Sequence, residues 1–405
     1  MPRHDVNEVF VFDAVRTPRG KGKAGGALAA VPPVELVKQL TDAMARRGGS
    51  GAREIDHLML GCVGQVGAQG GHIALVSKLY AGLPMVASAW TLNNYCSSGL
   101  SAIAGAVDKV AGGNAELVLA GGVESMSQVP FLHDQATYYT DPAFSLRMNY
   151  LPVALSADLL AAREDITRRE LDEVSADSHR RAGAARRTEQ GQQSLIPVVD
   201  AAGQIILAQD EYVRAETTAE GLAAFPAAFA PLGASYAEVL KRALGADRMD
   251  HRHAVVHAPG IADGAGLALI GSRAGGERRG LKPKARIVSC AELGSDPVVG
   301  LTAGADAMEQ VLARSGRRLS DIDLIEYMEA FAVVPALFRR RYPEAVDKTN
   351  VFGGHIAKGH ALGATGAILM SSLIDAMDAK NAASGLVVTF AASGIGAAMI
   401  VERAA

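Results

Sequence analysis

The sequence predicts an α/β fold made of two similar halves, with a charged segment inserted in the first. Three observations predict it. Strand-like apolar runs alternate with alanine-rich helical patterns along most of the chain, the pattern of sheets covered by helices. Glycine is abundant at 44 residues and aromatics make up only 5%, so elements can approach closely. A faint repeat pairs Ser98-Gly99-Leu100-Ser101-Ala102-Ile103 with Thr365-Gly366-Ala367-Ile368-Leu369-Met370. Each copy opens a helix and is followed by a strand ending in small residues.

The elements follow in order. Val9–Phe12 reads as a strand, Val34–Arg46 as a helix, Leu58–Leu60 and Ala87–Leu92 as strands. Ser98–Val110 is small or apolar except at Ser101, Asp108 and Lys109 and reads as a helix; Leu117–Ala120 follows as a strand. The alternation predicts parallel sheets. From Ser127 to Arg252 the chain is richer in charge, Tyr and Pro. Glu170–Arg187 reads as a charged helix whose arginines, Arg180, Arg181, Arg186 and Arg187, form a solvated face or contact substrate phosphates. Ser272–Gly280, with two adjacent glycines and three arginines, reads as an exposed linker. Leu386–Ala391 reads as a strand.

Composition sets limits on function. A chain of 405 residues accommodates two or three domains. A net charge of −3 gives no electrostatic case for nucleic acid or an anionic membrane. Three cysteines, Cys62, Cys96 and Cys290, fit a reducing compartment, so a cytoplasmic location is expected. No apolar run reaches membrane-spanning length, and Met1-Pro2-Arg3-His4-Asp5 lacks the apolar stretch of a signal peptide. No Cys/His cluster has ligand spacing, so no metal is expected.

Asn93-Asn94-Tyr95-Cys96-Ser97-Ser98-Gly99-Leu100 puts one cysteine at the mouth of a helix. The helix N-terminus favours thiolate over thiol, which would make Cys96 a nucleophile for acyl groups. The bland alternative for a lone cysteine is an inert buried one. Asn350 to Gly366 is a glycine-rich loop entering the mirrored helix, and it fits no phosphate-binding fingerprint. It holds His360 at the place in its half that Cys96 occupies in the other. A neutral imidazole there can accept a thiol proton and polarise a carbonyl. Cys62 and Cys290 stand at strand-like ends with no matching base and read as structural.

These motifs resemble those of the thiolase family nearly end to end. Arg16-Thr17-Pro18-Arg19-Gly20-Lys21, Cys96-Ser97-Ser98-Gly99-Leu100, Ala120-Gly121-Gly122-Val123-Glu124-Ser125-Met126-Ser127, Gly359-His360 and Gly363-Ala364-Thr365-Gly366 occur in the family's order. Several stretches resemble the fatty-acid-oxidation type. The resemblance implies an α/β, thiolase-like fold of two related halves in a five-layered arrangement, with an inserted loop domain. The expected domains are residues 1–124 plus 253–272, the loop domain 125–252, and 281–405. It implies CoA thioester substrates with no further cofactor, and a homodimer or dimer of dimers. It implies that Cys96 takes an acyl group from CoA, assisted by His360, with an oxyanion site made by the backbone N–H groups of Cys96 and Ala392. Phe131–Tyr139 and Leu151–Ser156 are expected to shape the pocket.

Departures from the family pattern are selective. Phe390 stands where the family's second catalytic cysteine moves the α-carbon proton. Met328 stands where an Asn or His helps stabilise the enolate oxygen, and a thioether donates nothing; losing one such donor typically costs about 10²–10³ in rate. The family usually has Asn and Ser near His257 and Pro259, close to the pantetheine arm, and Ala361 replaces the Pro after the catalytic His. Met328, Phe390 and His257 are therefore expected at the substrate pocket. Acyl loading is expected to survive and carbon–carbon chemistry to be impaired. A conventional thiolase using another proton carrier, an acyl-CoA thioesterase and a degenerate acyl-CoA-binding subunit are the readings left open.

Overall fold

A computed structural model of the chain describes residues 7–188, 192–245 and 249–404; Met1–Asp5 lies outside them. Its strands are β1 Val9–Arg16, β2 Gly20–Lys21, β3 His57–Gly61, β4 Ser88–Leu92, β5 Leu117–Ser125, β6 Val198–Val199, β7 Ile205–Leu207, β8 Ala262–Ser272, β9 Ala285–Gly294, β10 Leu324–Tyr327, β11 Ser384–Ala391 and β12 Ile395–Arg403. One continuous path runs β10-β11-β12-β9-β1-β8-β5-β3-β4, with β2 paired to β8. The halves meet edge to edge between β1 and β9 over only two residue pairs, Phe10 with Arg286 and Val11 with Ala285.

The expectation of parallel sheets is corrected to a mixed sheet. Among the strand pairs of the described residues, β3–β4, β3–β5 and β10–β11 are parallel and the rest antiparallel. The strand β8 re-enters after the inserted segment and runs antiparallel to both β1 and β5. At the other end a three-residue turn, Ala392–Gly394, joins β11 to β12, and so short a connection permits only antiparallel pairing.

Two helices fill the space between the halves. The helix Ser98–Ala111 buries Leu100, Ile103, Ala106 and Val110, and the helix Thr365–Lys380 is buried along almost its whole length. Both touch strands of both halves. A helix that is apolar on nearly all sides must be covered on all sides. The helices Pro33–Gly48 and Ile73–Tyr80 cover the outer face of one half, and Ala303–Ser315 covers that of the other. The order is helix, strand, helix, strand, helix: five layers, the middle one shared.

The inserted segment carries the β6–β7 hairpin and several helices, including Val153–Arg163 and Arg168–Thr188. It has its own small core of Leu151, Leu155, Leu159, Val239 and Leu240, to which Val298 is added from outside. The expected linker is a short helix instead, Arg273–Arg278, capped by the Ser272 hydroxyl on Gly275 N–H. Its glycines are there for close packing, since a Cβ on Gly276 would lie 2.1 Å from the Phe12 ring. The paired arginines also settle: Arg181 donates to Thr349 O at 2.8 Å and Arg186 to Asp210 O, while Arg180 is exposed beside Asp177. No helix among the described residues is long and apolar enough to cross a membrane.

Candidate active site

The two mirrored helix starts cross glycine to glycine. A Cβ on Gly99 would lie 2.8 Å from Gly363 O, and one on Gly366 would lie 2.3 Å from Leu100 N. Only glycine lets the backbones approach so closely. This contact joins the turn that carries Cys96 to the loop that carries His360.

Cys96 precedes its helix on a tight turn. Tyr95 adopts a left-handed conformation (φ 47°), an uncommon state for a residue with a Cβ. The turn is closed by Asn93 Oδ1, which accepts Tyr95 N–H at 2.9 Å, and by Ser98 N–H on Tyr95 O at 3.0 Å. Cys96 as a residue is half-buried. The backbone N–H groups of Ala392 and of Cys96 itself favour its anion, but burial dominates and pushes the thiol up to about 12. Burial thus opposes the thiolate that the helix end favours. Cys96 lies outside the first helical turn, and desolvation outweighs the helix end.

His360 is 8% exposed. Its Nδ1 shares a 2.8 Å hydrogen bond with Thr365 Oγ1, which fixes the ring and leaves Nε2 for a reactant. Burial, helped by the Arg19 guanidinium, pulls its pKa down to about 3, so the ring is neutral. Its loop is held at both ends. His360 N–H donates to Gly260 O at 2.8 Å, and Arg19 donates to Gly359 O at 3.1 Å. Arg19 is itself anchored, with Arg16, on the buried Asp210.

Sequence reasoning missed two features. Glu124 is 1% exposed and accepts N–H groups from Val63 (2.9 Å), Gly64 (3.0 Å) and Gly363 (3.0 Å) and the Gln69 amide (2.7 Å). It binds the β3 end to the His360 loop; the signal was a lone carboxylate in the small-residue stretch Ala120–Ser127. Cys62, fully buried, points its thiol at this carboxylate from 3.7 Å. The second feature is His355, 5.6 Å from His360 between ring centroids and T-shaped to it. Neither of its ring nitrogens has a partner among the described residues.

Met328, Phe390 and His257 expose 0%, 1% and 0% of their surface. All three are buried side chains, and Phe390 lines a small cleft with Tyr327, Phe338 and Tyr342. Met328 Sδ accepts Phe390 N–H at 3.2 Å. The Phe390 ring stacks on Tyr327 with 4.9 Å between centroids and abuts Gly304, on the strand face opposite Thr389, whose hydroxyl donates to Ser97 Oγ at 2.9 Å. His257 bonds Asp172 Oδ1 at 2.7 Å through Nε2 and accepts Ala254 N–H at 2.9 Å on Nδ1. Both nitrogens are occupied, which makes it a structural tie to the inserted segment. Among the described residues no three His, Cys, Asp or Glu side chains converge as a metal site.

The architecture and motif order agree with sequence comparison. Residues 9–238 match the thiolase N-terminal domain and residues 281–403 the thiolase C-terminal domain. The chain belongs to the thiolase family. It is 33% identical over 405 residues to the 3-ketoacyl-CoA thiolase of Cronobacter sakazakii, covering 98% of this chain and 100% of that one. It is 31% identical over 408 residues to the 3-ketoacyl-CoA thiolase of Colwellia psychrerythraea, with the same coverage. The crystal structure of the Bacillus anthracis acetyl-CoA acetyltransferase superposes with a TM-score of 0.84 at 29% identity, over 99% of this chain and 100% of that one. This thiolase-family chain is accordingly an acyltransferase by kinship.

Proposed function

We propose that Cys96 takes an acyl group from an acyl-CoA, with His360 as general base, and that condensation and thiolysis through an enolate are impaired. The observation that carries this reading is the contrast between two sets of groups. The backbone N–H groups of Ala392 and Cys96 favour the anion of the Cys96 sulfur, whereas Met328 and Phe390 are engaged in core packing.

In the loading step Cys96 Sγ forms a bond to the thioester carbonyl carbon as His360 Nε2 takes its proton. Charge grows on the carbonyl oxygen beside the sulfur, where the N–H groups of Cys96 and Ala392 stabilise it. The tetrahedral intermediate collapses by breaking the bond to CoA sulfur, and His360 returns the proton to that leaving thiolate. Thiol and imidazole both rest neutral, so proton transfer accompanies attack and does not precede it. The acceptor that then discharges the acyl group is one needing no α-proton removal, a heteroatom nucleophile.

Intact-protein mass after brief exposure to acetyl-CoA and longer acyl-CoAs tests the reading. An acyl adduct is expected on wild type and none on Cys96→Ala, with acetoacetyl-CoA thiolysis at least about 10²-fold below that of an ordinary thiolase. Equal loading of Cys96→Ala would sink the nucleophile assignment. Release of CoA without an adduct would favour hydrolysis, and binding without either would favour a binding subunit.

We also infer that the protein is a homodimer joined at β4. This strand ends the sheet, and beside its open edge Met85 (76% exposed), Val86 (95%), Leu79 and Trp90 present apolar surface. Light scattering should give twice the chain mass for wild type, and monomer for Trp90→Lys with Val86→Asp; a monomeric wild type at micromolar concentration ends this inference.

A further inference from the structure

The turn Ala392–Gly394 has an unusual build for the role proposed above. Ser393 sits in the left-handed region at φ 57°, and Gly394 follows at φ 75°. Glycine adopts such angles freely, whereas a residue with a Cβ is strained there. Strain of this kind persists where neighbours hold it. Here the Ser393 hydroxyl lies 3.2 Å from the Tyr138 hydroxyl, and Tyr138 belongs to the inserted segment, 255 residues away in sequence. On its far side the turn is held by Ser295 N–H on Gly394 O at 2.7 Å. The residue just before Ser393 is Ala392, whose N–H favours the Cys96 anion. Tyr138 in turn packs edge to face on Tyr150, with 4.9 Å between centroids, and its backbone carbonyl accepts the Ser145 hydroxyl at 2.8 Å. It is thus fixed in the inserted segment, not loose above the turn.

We propose that Tyr138 is a positioning residue for the oxyanion site: through its hydroxyl bond to Ser393 it holds the strained turn that aims Ala392 N–H at Cys96. A serine at this position makes the site conditional on the inserted segment being seated. The proposal rests on Cys96 as nucleophile, so its test reads the thiol directly as well as acyl loading.

The experiment follows iodoacetamide alkylation of Cys96 by peptide mass across pH 7–10, and acyl loading from acetyl-CoA, in four proteins: wild type, Tyr138→Phe, Ser393→Gly and the double variant. Tyr138→Phe should slow both reactions about tenfold, the penalty scale of an unsupported left-handed residue, and displace the alkylation profile to higher pH. Ser393→Gly alone should stay within about threefold of wild type, because glycine needs no support at that angle. The double variant should recover the Ser393→Gly rates, a rescue that mere loss of packing would not give. Wild-type alkylation in Tyr138→Phe, or a double variant as slow as Tyr138→Phe, overturns the proposal. Absence of acyl loading in wild type, with the alkylation pattern as expected, would instead strike the loading reading and leave the positioning role standing.

Discussion

At the scale of single residues, the site opposes two influences on one sulfur. Backbone N–H groups favour the Cys96 thiolate, and burial favours the thiol and wins, leaving it near 12. His360, at about 3, is neutral for a related reason: burial penalises its cation. A definite pH dependence follows. Between pH 7 and 10 the Cys96 alkylation rate should rise about tenfold per pH unit with no plateau, because the thiolate fraction grows by that factor below the pKa. Acyl loading should be flat from pH 5 to 9, since neither group changes its charge there. A plateau in alkylation near pH 8 would show that the N–H groups outweigh burial after all. None of this was legible in the residues around Cys96, where the local signal was the helix end alone; desolvation is set by segments distant in sequence.

At the scale of elements, the crossing of Ser98–Ala111 with Thr365–Lys380 is the joint on which the site depends. A methyl at Gly366 would meet the Leu100 backbone, which cannot yield, whereas one at Gly105 would meet only the flexible tip of Met59, at 2.8 Å. Gly366→Ala should therefore destabilise the protein by about 1–3 kcal/mol and slow acyl loading. Gly105→Ala should be near neutral or stabilising by up to about 1 kcal/mol, from helix propensity. Urea unfolding of both variants checks this; equal effects would mean that the crossing is not backbone-limited. The joint was legible in outline, because the repeat around Gly99 and Gly366 marked the very helices that meet. Apolar runs also located β1, β3, β4, β5 and β11, but not β8, β9 or β12. Ser272–Gly280 was misread because glycine signals both a loose chain and a tight contact, and only the nearby Phe12 ring decides between them. Glu124 stayed hidden for a similar reason: three of its partners are backbone N–H groups, which carry no side-chain signature.

At the scale of the whole molecule, the inserted segment is tied into the halves by buried charge. Asp210 accepts from Arg16 at 2.9 Å and from Arg19 at 3.2 Å, all three buried. The two guanidiniums hold its carboxyl well below the usual carboxylate range, against the opposing effect of burial. Asp210→Asn leaves two buried cations underpaired and should cost about 3–5 kcal/mol at pH 7. A carboxylate with a depressed folded-state pKa stabilises above its unfolded value of 3.8, and that stability is lost as pH falls below it. The difference in Tm between wild type and Asp210→Asn should thus be full at neutral pH and shrink as the pH drops below about 4. A pH-independent difference would mean that shape, not charge, is what the aspartate supplies.

The turn Ala392–Gly394 is made long after Cys96, about three hundred residues later in the chain. A nascent chain folds as its segments emerge. Until β11 and β12 arrive, Cys96 is an ordinary thiol with a pKa of about 8.5, open to any oxidant or alkylating agent. Completion of the fold then draws it into the interior and quiets it. Folding in this protein is also the sheathing of a reactive atom, and a chain truncated before β11 would carry that atom bare.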